Sequence, residues 1–394
     1  MFEWFTSRFS IEEISGCFGD IGTVIPITIA MAKVNAINIS STFFWYGINN
    51  ILISYYDLPM TVQPQKTISA LAIKGDLDNK SVICAGFLTG IITSFLAFTG
   101  LLNKIVKFTP KHLICVIQMS QGLIFIMQGV KRVVDVNIWI GIDSYLTAII
   151  TGLFILFTWL PWKNKEIKKY ADFMPSALII FITGLIIAGI SYNSSTKYNI
   201  NSPFIITEIT KDDFLHGFKA TFTQLPLTLL NSVVSTVELS HTMFPDNKLN
   251  INNISYTIGL INIFTFIGGA PSCLGCGSLA SNFKFKGKTG LVPFILGIIY
   301  ILFSIFFGSI LLDLIINFPN SMLGVMLIVS GGELSLAGSK KIENNILDYC
   351  ICIGISLATN LHTGFLTGII LYISRELINV SNKEEENSII TEMV

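Results

Sequence analysis

The sequence predicts an all-α membrane protein that crosses the bilayer many times and is built as two inverted repeats of about seven segments each. Three observations carry that prediction. Apolar residue types make up 52% of the 394 residues and charged types only 13%, about half the charged share of a soluble domain. Several apolar runs approach or reach the roughly 20 residues that a helix needs to span a hydrocarbon core of about 30 Å. The chain also carries a near-constant internal offset. Pro110–Val116 laid over Pro319–Val325 matches Gly122 with Gly331, Gly129 with Gly338 and Lys131 with Lys340, a shift of 209 positions, and a shift of 210 aligns Ala70 with Ala280.

The segments expected, in order, are 14–33, 40–56, 62–74, 82–101, 110–129, 143–160, 173–191, 214–236, 254–269, 272–282, 290–313, 319–337, 346–361 and 363–380. The clearest runs are Ser81–Gly100, Tyr145–Leu160, Met174–Ile190 and Val292–Leu312, none of which shows the polar stripe of a water-facing helix. Two segments are too short to span. The first, Val62–Lys74, follows Asp57-Leu58-Pro59 and contains Pro64; the second, Ser272–Asn282, follows Pro271 and is rich in Gly and Cys. Each reads as a half-helix. An odd number of segments per half inverts the second half, and broken helices at matching places in inverted repeats point to the binding site of a secondary transporter. The expected division is 1–192 for the first repeat, 193–213 for a connecting loop, 214–380 for the second repeat and 381–394 for a short tail.

Lysines set the orientation. Lys104, Lys107 and Lys111, then Lys163, Lys165, Lys168 and Lys169, then Lys284, Lys286 and Lys288, then Lys340 and Lys341 fall in loops on one side, whereas the other side holds mainly Lys131 and Arg132. Basic loops favour the cytoplasm, so both termini are expected inside. Met1–Glu13 lacks the basic, apolar, small-residue order of a cleavable signal, so the first segment is expected to serve as its own insertion signal.

Formal net charge is zero, which gives no field directed at nucleic acid. Seven cysteines, an odd number placed mostly in apolar runs, argue against a disulfide framework. Cys273-x-x-Cys276 stands without a second pair or nearby histidines, and reads as small side chains at a packed helix end; no metal or cofactor is expected. His112, His216, His241 and His362 form no pair with ligand spacing and no enzyme-like constellation, so the chain is not expected to be an enzyme.

A half-helix beginning inside the membrane leaves its first N–H groups unpaired, and its N-terminal end carries about half a positive charge. Two such ends meeting at mid-depth would cradle a small anion. On the first, Gln63 can donate an amide hydrogen bond, and Lys66 is an intramembrane cation, a functional candidate by default; its alternative roles are snorkelling or pairing with Asp20 or Glu238. On the second, Ser272, Cys273, Gly275 and Ser278 offer hydroxyls, a thiol and close backbone approach, with helix packing as the alternative for the glycines. Thr23 shares a face with Asp20. Gln224, Asn231 and Glu238 share another. Asp20 and Glu238 are the candidates for carrying a proton, with a buried ion pair or helix cap as the alternative. Gln118, Gln121, Gln128 and Glu333 read as interhelical.

Gly19-Asp-Ile-Gly-Thr-Val-Ile-Pro26, Pro59-Met-Thr-Val-Gln-Pro-Gln-Lys66 and Gln224-Leu-Pro-Leu-Thr-Leu-Leu-Asn-Ser232 resemble the molybdate-transporter family related to the sulfate permeases. The likeness continues at Phe244-Pro245, Gly268–Gly290, Phe318–Gly324 and Ser356–Asn360, and so covers nearly the whole chain. It implies the fold shared by sulfate permeases and nucleobase carriers: a core domain and a gate domain, substrate bound between the third and tenth segments, and no appended cytoplasmic regulatory domain. This chain departs from the family pattern at Thr61 (usually Pro), Leu274 (usually His), Ser278 (usually Gly), Asn282 (usually Gln) and Lys288 (usually Arg). Leu274 removes a polar ring from the second half-site and weakens the case for molybdate itself.

The leading reading is a carrier for a tetrahedral oxyanion, molybdate or sulfate, driven by a proton or an exchanged anion through alternating access. The lipid bilayer is its medium, and a homodimer is a further expectation. A nucleobase:proton symporter on the same fold is the alternative, with Glu238 as its carboxylate; an anion channel is the alternative of another class.

Overall fold

The chain folds almost entirely as helices, because apolar side chains run through it with few polar interruptions and a helix satisfies its own backbone hydrogen bonds. The computed structural model describes residues 6–102, 111–160, 162–193, 202–247, 249–339, 346–359 and 363–375. Lys104, Lys107, Lys340, Lys341, His362 and the tail from 381 lie outside these.

The elements are α1 (Ile11–Gly16), α2 (Ile21–Lys33), α3 (Ile39–Ile53), β1 (Gln63–Pro64), α4 (Lys66–Lys74), α5 (Asn79–Phe98), α6 (Lys111–Asp135), α7 (Tyr145–Trp159), α8 (Lys165–Phe173), α9 (Ser176–Ile190) and α10 (Lys211–Leu227). A π-helical segment, Thr228–Val234, leads into α11 (Ser235–Met243), followed by α12 (Ile251–Ile263), β2 (Ser272–Cys273), α13 (Cys276–Lys284), α14 (Leu291–Phe307), α15 (Leu311–Ile316), α16 (Asn320–Ser339), α17 (Ile346–Ala358) and α18 (363–375). Polar N-caps fix many of the starts: Asn38, Asp78, Ser144 and Asn250 each accept from the N–H three residues on, and Thr210 forms a capping box with Asp213.

Three expected segments are broken. Segment 14–33 is interrupted by a turn between α1 and α2, which places Asp20 at the N-cap of α2 instead of inside a helix. Segment 214–236 switches to π geometry at Thr228, just after Pro226. Segment 290–313 ends as a helix at Phe307, before Gly308 at φ 44°. Ile11–Lys33, Asn79–Phe98 and Asn320–Ser339 are long and apolar enough to cross a bilayer, while Tyr145–Trp159, Leu291–Phe307 and Ile346–Ala358 are apolar but shorter. The outer faces of α5, α7 and α9 expose Ile91, Phe95, Leu146, Ile150, Leu153, Ile182 and Ile186, a surface that lipid, not water, covers.

The inverted repeat is visible in the packing. α6 and α16 begin 209 residues apart and run antiparallel about Gly122 and Gly331: a methyl group built on either glycine would lie 2.5 or 2.4 Å from the other's carbonyl oxygen. Gly129 meets Gly324 one way along the pair, and Gly338 meets Cys115 the other way. α4 and α13 are both nine residues long and begin 210 apart. α3 and α12, and α5 and α14, each begin 212 apart, and they pair crosswise, α3 on α14 at Gly47 and Gly297, α5 on α12 at Gly90 and Gly259. Neither repeat therefore packs alone; each completes the other.

The loops gather on two faces. On one, Arg8 pairs with Asp57 at 2.7 Å, Gly290 N–H donates to Asp57, Lys288 and Thr289 N–H donate to Glu13, and Lys286 Nζ donates to the Ala171 and Met174 carbonyls. On the other, Asn79 reaches the Ala36 carbonyl, and Asp143 accepts from Asn320 and Ser321 N–H at the start of α16.

Candidate functional site

The two short segments expected as half-helices meet. β1 and β2 form an antiparallel pair in which Gln63 opposes Cys273 and Pro64 opposes Ser272. Gln63 is thus paired with its own repeat equivalent, so the axis of the inverted repeat passes through the strand pair. From it α4 and α13 run outward in opposite directions, with both N-terminal ends turned toward the middle. Each strand is braced by an asparagine of its own repeat: Val62 N–H donates to Asn50 Oδ1 at 3.0 Å, and Ser272 N–H donates to Asn262 Oδ1 at 2.9 Å. Both asparagines also donate back to the carbonyl four residues earlier, Tyr46 and Ile258. The sequence reading missed them; the signal was two asparagines 212 apart, the offset of the helices that carry them.

Several buried polar atoms around this pair have no hydrogen-bond partner among the described residues, among them Asp20 Oδ1 with Thr23 Oγ1 beside it, Gln63 Oε1, Gln65 Oε1 and Lys66 Nζ. Gln63 Nε2 donates to Asp20 Oδ2 at 2.6 Å. The Lys66 ammonium lies 4.1 Å from the centre of the Phe125 ring, a cation–π contact, and makes no ion pair with Asp20. The same ring borders the start of α13, where a methyl on Gly277 would come within 2.6 Å of it. A methyl on Gly275 would lie 2.6 Å from Gln63 Oε1 and 3.3 Å from Asn231 Nδ2. Asn231 Oδ1 is taken by the Cys276 thiol at 3.0 Å, which leaves its amide nitrogen as the donor facing Gly275. Phe125 was absent from the sequence reading, since one aromatic in an apolar helix gives no signal.

Other expected members are placed but spent internally. The Ser272 hydroxyl donates to the Ala270 carbonyl. Ser278 Oγ donates to the Gly275 carbonyl and accepts from Thr61 N–H. Cys273 Sγ points to the Pro64 carbonyl across the strand pair. Gln224 caps the first half-helix, its Oε1 accepting from Thr67 N–H at 2.9 Å, so one of the N–H groups reserved for an anion is already satisfied. Glu238 is half-buried on α11, beyond the π segment; the i→i+5 bonding of that segment shifts the helical phase and breaks the face expected to join Gln224, Asn231 and Glu238. Three of the departures from the family pattern form one network: Asn282 Nδ2 donates to Thr61 Oγ1 and the Pro59 carbonyl, and Thr61 N–H donates to Ser278.

An unpartnered buried polar atom costs about 1–3 kcal/mol. Here Thr23 Oγ1 and Lys66 Nζ can donate, while Gln63 Oε1 and an ionised Asp20 can only accept, so the cluster pairs two donors with two acceptors near the N-terminal end of α13.

A family model described as "Molybdate transporter of MFS superfamily" matches residues 12–125 and 216–334. Molybdate transporter 1 of Arabidopsis thaliana is 31% identical over 93% of this chain and 88% of its own length, and Molybdate transporter 2 of the same plant is 30% identical over 93% and 87%. Among solved structures, the murine solute carrier 26 family member A9 anion transporter superposes with a TM-score of 0.60 at 12% identity, over 95% of this chain and 70% of that one. The transmembrane domain of the cyanobacterial bicarbonate transporter BicA superposes at 0.54 with 11% identity, over 92% and 99%. These two show the fold, that of the sulfate-permease type.

Proposed function

The chain belongs to the molybdate-transporter family and is an integral membrane anion transporter, and from that premise we propose that it is a secondary active carrier of a tetrahedral oxyanion, molybdate first and sulfate second, working by alternating access. The observation that carries this reading is the pair of unpartnered donors on Lys66 and Thr23 at the convergence of α4 and α13. An oxyanion placed there would accept from Lys66, from the Asn231 amide and from the first N–H groups of α13, next to Gly275, which lets it approach the backbone. No arginine surrounds it, so binding stays weak enough for release.

Asp20 supplies the coupling. A dianion beside an ionised carboxylate is repelled, and a protonated Asp20 is not. Proton and anion therefore enter together, with the Asp20–Gln63 hydrogen bond as the element that registers both. Residues 1–192 and 214–380 are the two repeats, joined through 193–213. The α1 and α8 ends of the molecule, with Lys163 to Lys169 and Lys284 to Lys288, face the cytoplasm with both termini.

The test is uptake of labelled molybdate and of sulfate into proteoliposomes with and without an inward proton gradient. Saturable uptake, accelerated by the gradient and insensitive to uracil, supports the proposal. Inhibition by uracil would instead indicate a nucleobase carrier, and flux that never saturates would indicate a channel.

A further inference from the structure

A second cluster of cations lies away from the central site. The last turn of α2, the end of α6 and the start of α16 enclose a half-open cavity of about 180 Å³, lined by Pro26, Lys33, Arg132, Phe318, Asn320 and Leu323 among others. That is room for roughly six waters at about 30 Å³ each, or for one small oxyanion with part of its hydration shell. Lys33 and Arg132 come from two helices, α2 and α6, and both line the same space. Pro26, in the lining, is one helical turn from Thr23 on α2.

Basic residues in the last turn of a helix ordinarily complement its dipole, and exposed Lys33 is explained that way. Arg132 is not. Its Nε is buried and has no hydrogen-bond partner among the described residues, an arrangement that costs free energy unless something accepts from it. Its Cβ lies beside Gly324 of α16, 3.2 Å from the position a methyl on that glycine would take. The nearby carboxylates are Asp135, on the same helix, and Asp143, whose two oxygens are engaged by the Asn320 and Ser321 N–H groups. A guanidinium with a free buried N–H is suited to a planar or tetrahedral oxyanion.

We infer that Arg132 and Lys33 form an antechamber that captures a soluble oxyanion on the face opposite Lys284–Lys288 before it reaches the central site. The identity of the anion rests on the carrier reading above; the existence of the site does not.

Two measurements test it. The first is accessibility without transport. In full-length protein with Cys350→Ser, which removes the exposed cysteine and leaves the six buried ones, Ala30→Cys is labelled with a sulfonate-bearing and a trimethylammonium-bearing thiosulfonate of similar size. The sulfonate reagent is expected to react at least fivefold faster relative to its cationic partner than it does after Arg132→Gln, and molybdate or sulfate is expected to slow it. Equal rates in both backgrounds overturn the antechamber. The second is initial uptake into vesicles of neutral phosphatidylcholine, repeated with anionic lipid. Arg132→Gln is expected to raise KM for molybdate about five- to tenfold with kcat within twofold, and Arg132→Lys to recover part of the loss. A fall in kcat at unchanged KM, equal in both variants, would make Arg132 structural. A KM effect confined to vesicles with anionic lipid would assign the cavity to a headgroup phosphate and overturn the soluble-anion site. Ala30→Cys/Cys350→Ser protein with Arg132 intact that labels as expected, where neither it nor the wild type takes up either oxyanion, would overturn the carrier reading alone.

Discussion

The Gln63 side-chain amide donates to Asp20 Oδ2 at 2.6 Å while Asp20 Oδ1 and Gln63 Oε1 both remain without partners. The pair is half-satisfied at each end, and one proton on Asp20 changes what it offers. An ionised Asp20 holds the amide; a protonated one becomes a donor itself and loosens that hold. Asp20→Asn keeps the shape and removes the titration. Uptake by Asp20→Asn is expected to lose its acceleration by an inward proton gradient while anion exchange persists. Equal gradient stimulation in wild type and variant would exclude Asp20 from coupling.

Gly275 sits where a side chain would press on both amides of the site, 2.6 Å from Gln63 Oε1 and 3.3 Å from Asn231 Nδ2. Gly275→Ala is expected to cut molybdate uptake at least tenfold while the protein still purifies as a monodisperse species. Retained uptake with an unchanged KM would place the anion elsewhere.

Lys284 at the end of α13 pairs with Glu333 of α16 at 2.9 Å and lies 4.4 Å over the ring of Trp159 on α7. This ties the second half-helix to two neighbouring helices on one face of the molecule. Both side chains are less than a third exposed, so breaking the pair is expected to cost on the order of 2 kcal/mol in the state that contains it. If α13 moves during transport, a Lys284→Cys/Glu333→Cys disulfide should arrest uptake and reduction should restore it. Undiminished uptake by the oxidised protein would show that these helices stay together throughout the cycle.

The α6–α16 crossing has no space at its centre, because Gly122 and Gly331 place their backbones in contact. Gly122→Val must separate the helices, and overpacking of this kind costs about 1–3 kcal/mol or more. A clear drop in the thermal midpoint is expected, whereas Gly189→Ala, which meets nothing within 4 Å, should leave it unchanged. A similar midpoint for both variants would contradict the close crossing.

The Gln224 cap separates a structural from a binding role. Gln224→Ala removes the acceptor of Thr67 N–H, a loss of about 0.5–2 kcal/mol for a helix cap, and is expected to lower stability more than it raises KM. A KM effect without a stability effect would return Gln224 to the binding site.

The sequence alone determined the membrane class, the internal offset, and the positions of the two short segments. Those properties follow from apolar run length and from glycines and prolines at fixed intervals, which are local. It also marked Gln63, Lys66 and Asp20 as groups too polar to lie in hydrocarbon without a reason. Which polar groups stay available was decided only by the tertiary structure. Ser272 and Ser278 differ little in the sequence from Thr23, yet their hydroxyls bond to nearby carbonyls while Thr23 Oγ1 finds no partner. Glu238 left its expected face because a π segment intervenes, and Phe125 entered the site because α6 packs beside the start of α13. A buried donor or acceptor bonds to whatever the folded chain brings within about 3 Å, and that neighbourhood is assembled from residues some 200 positions apart.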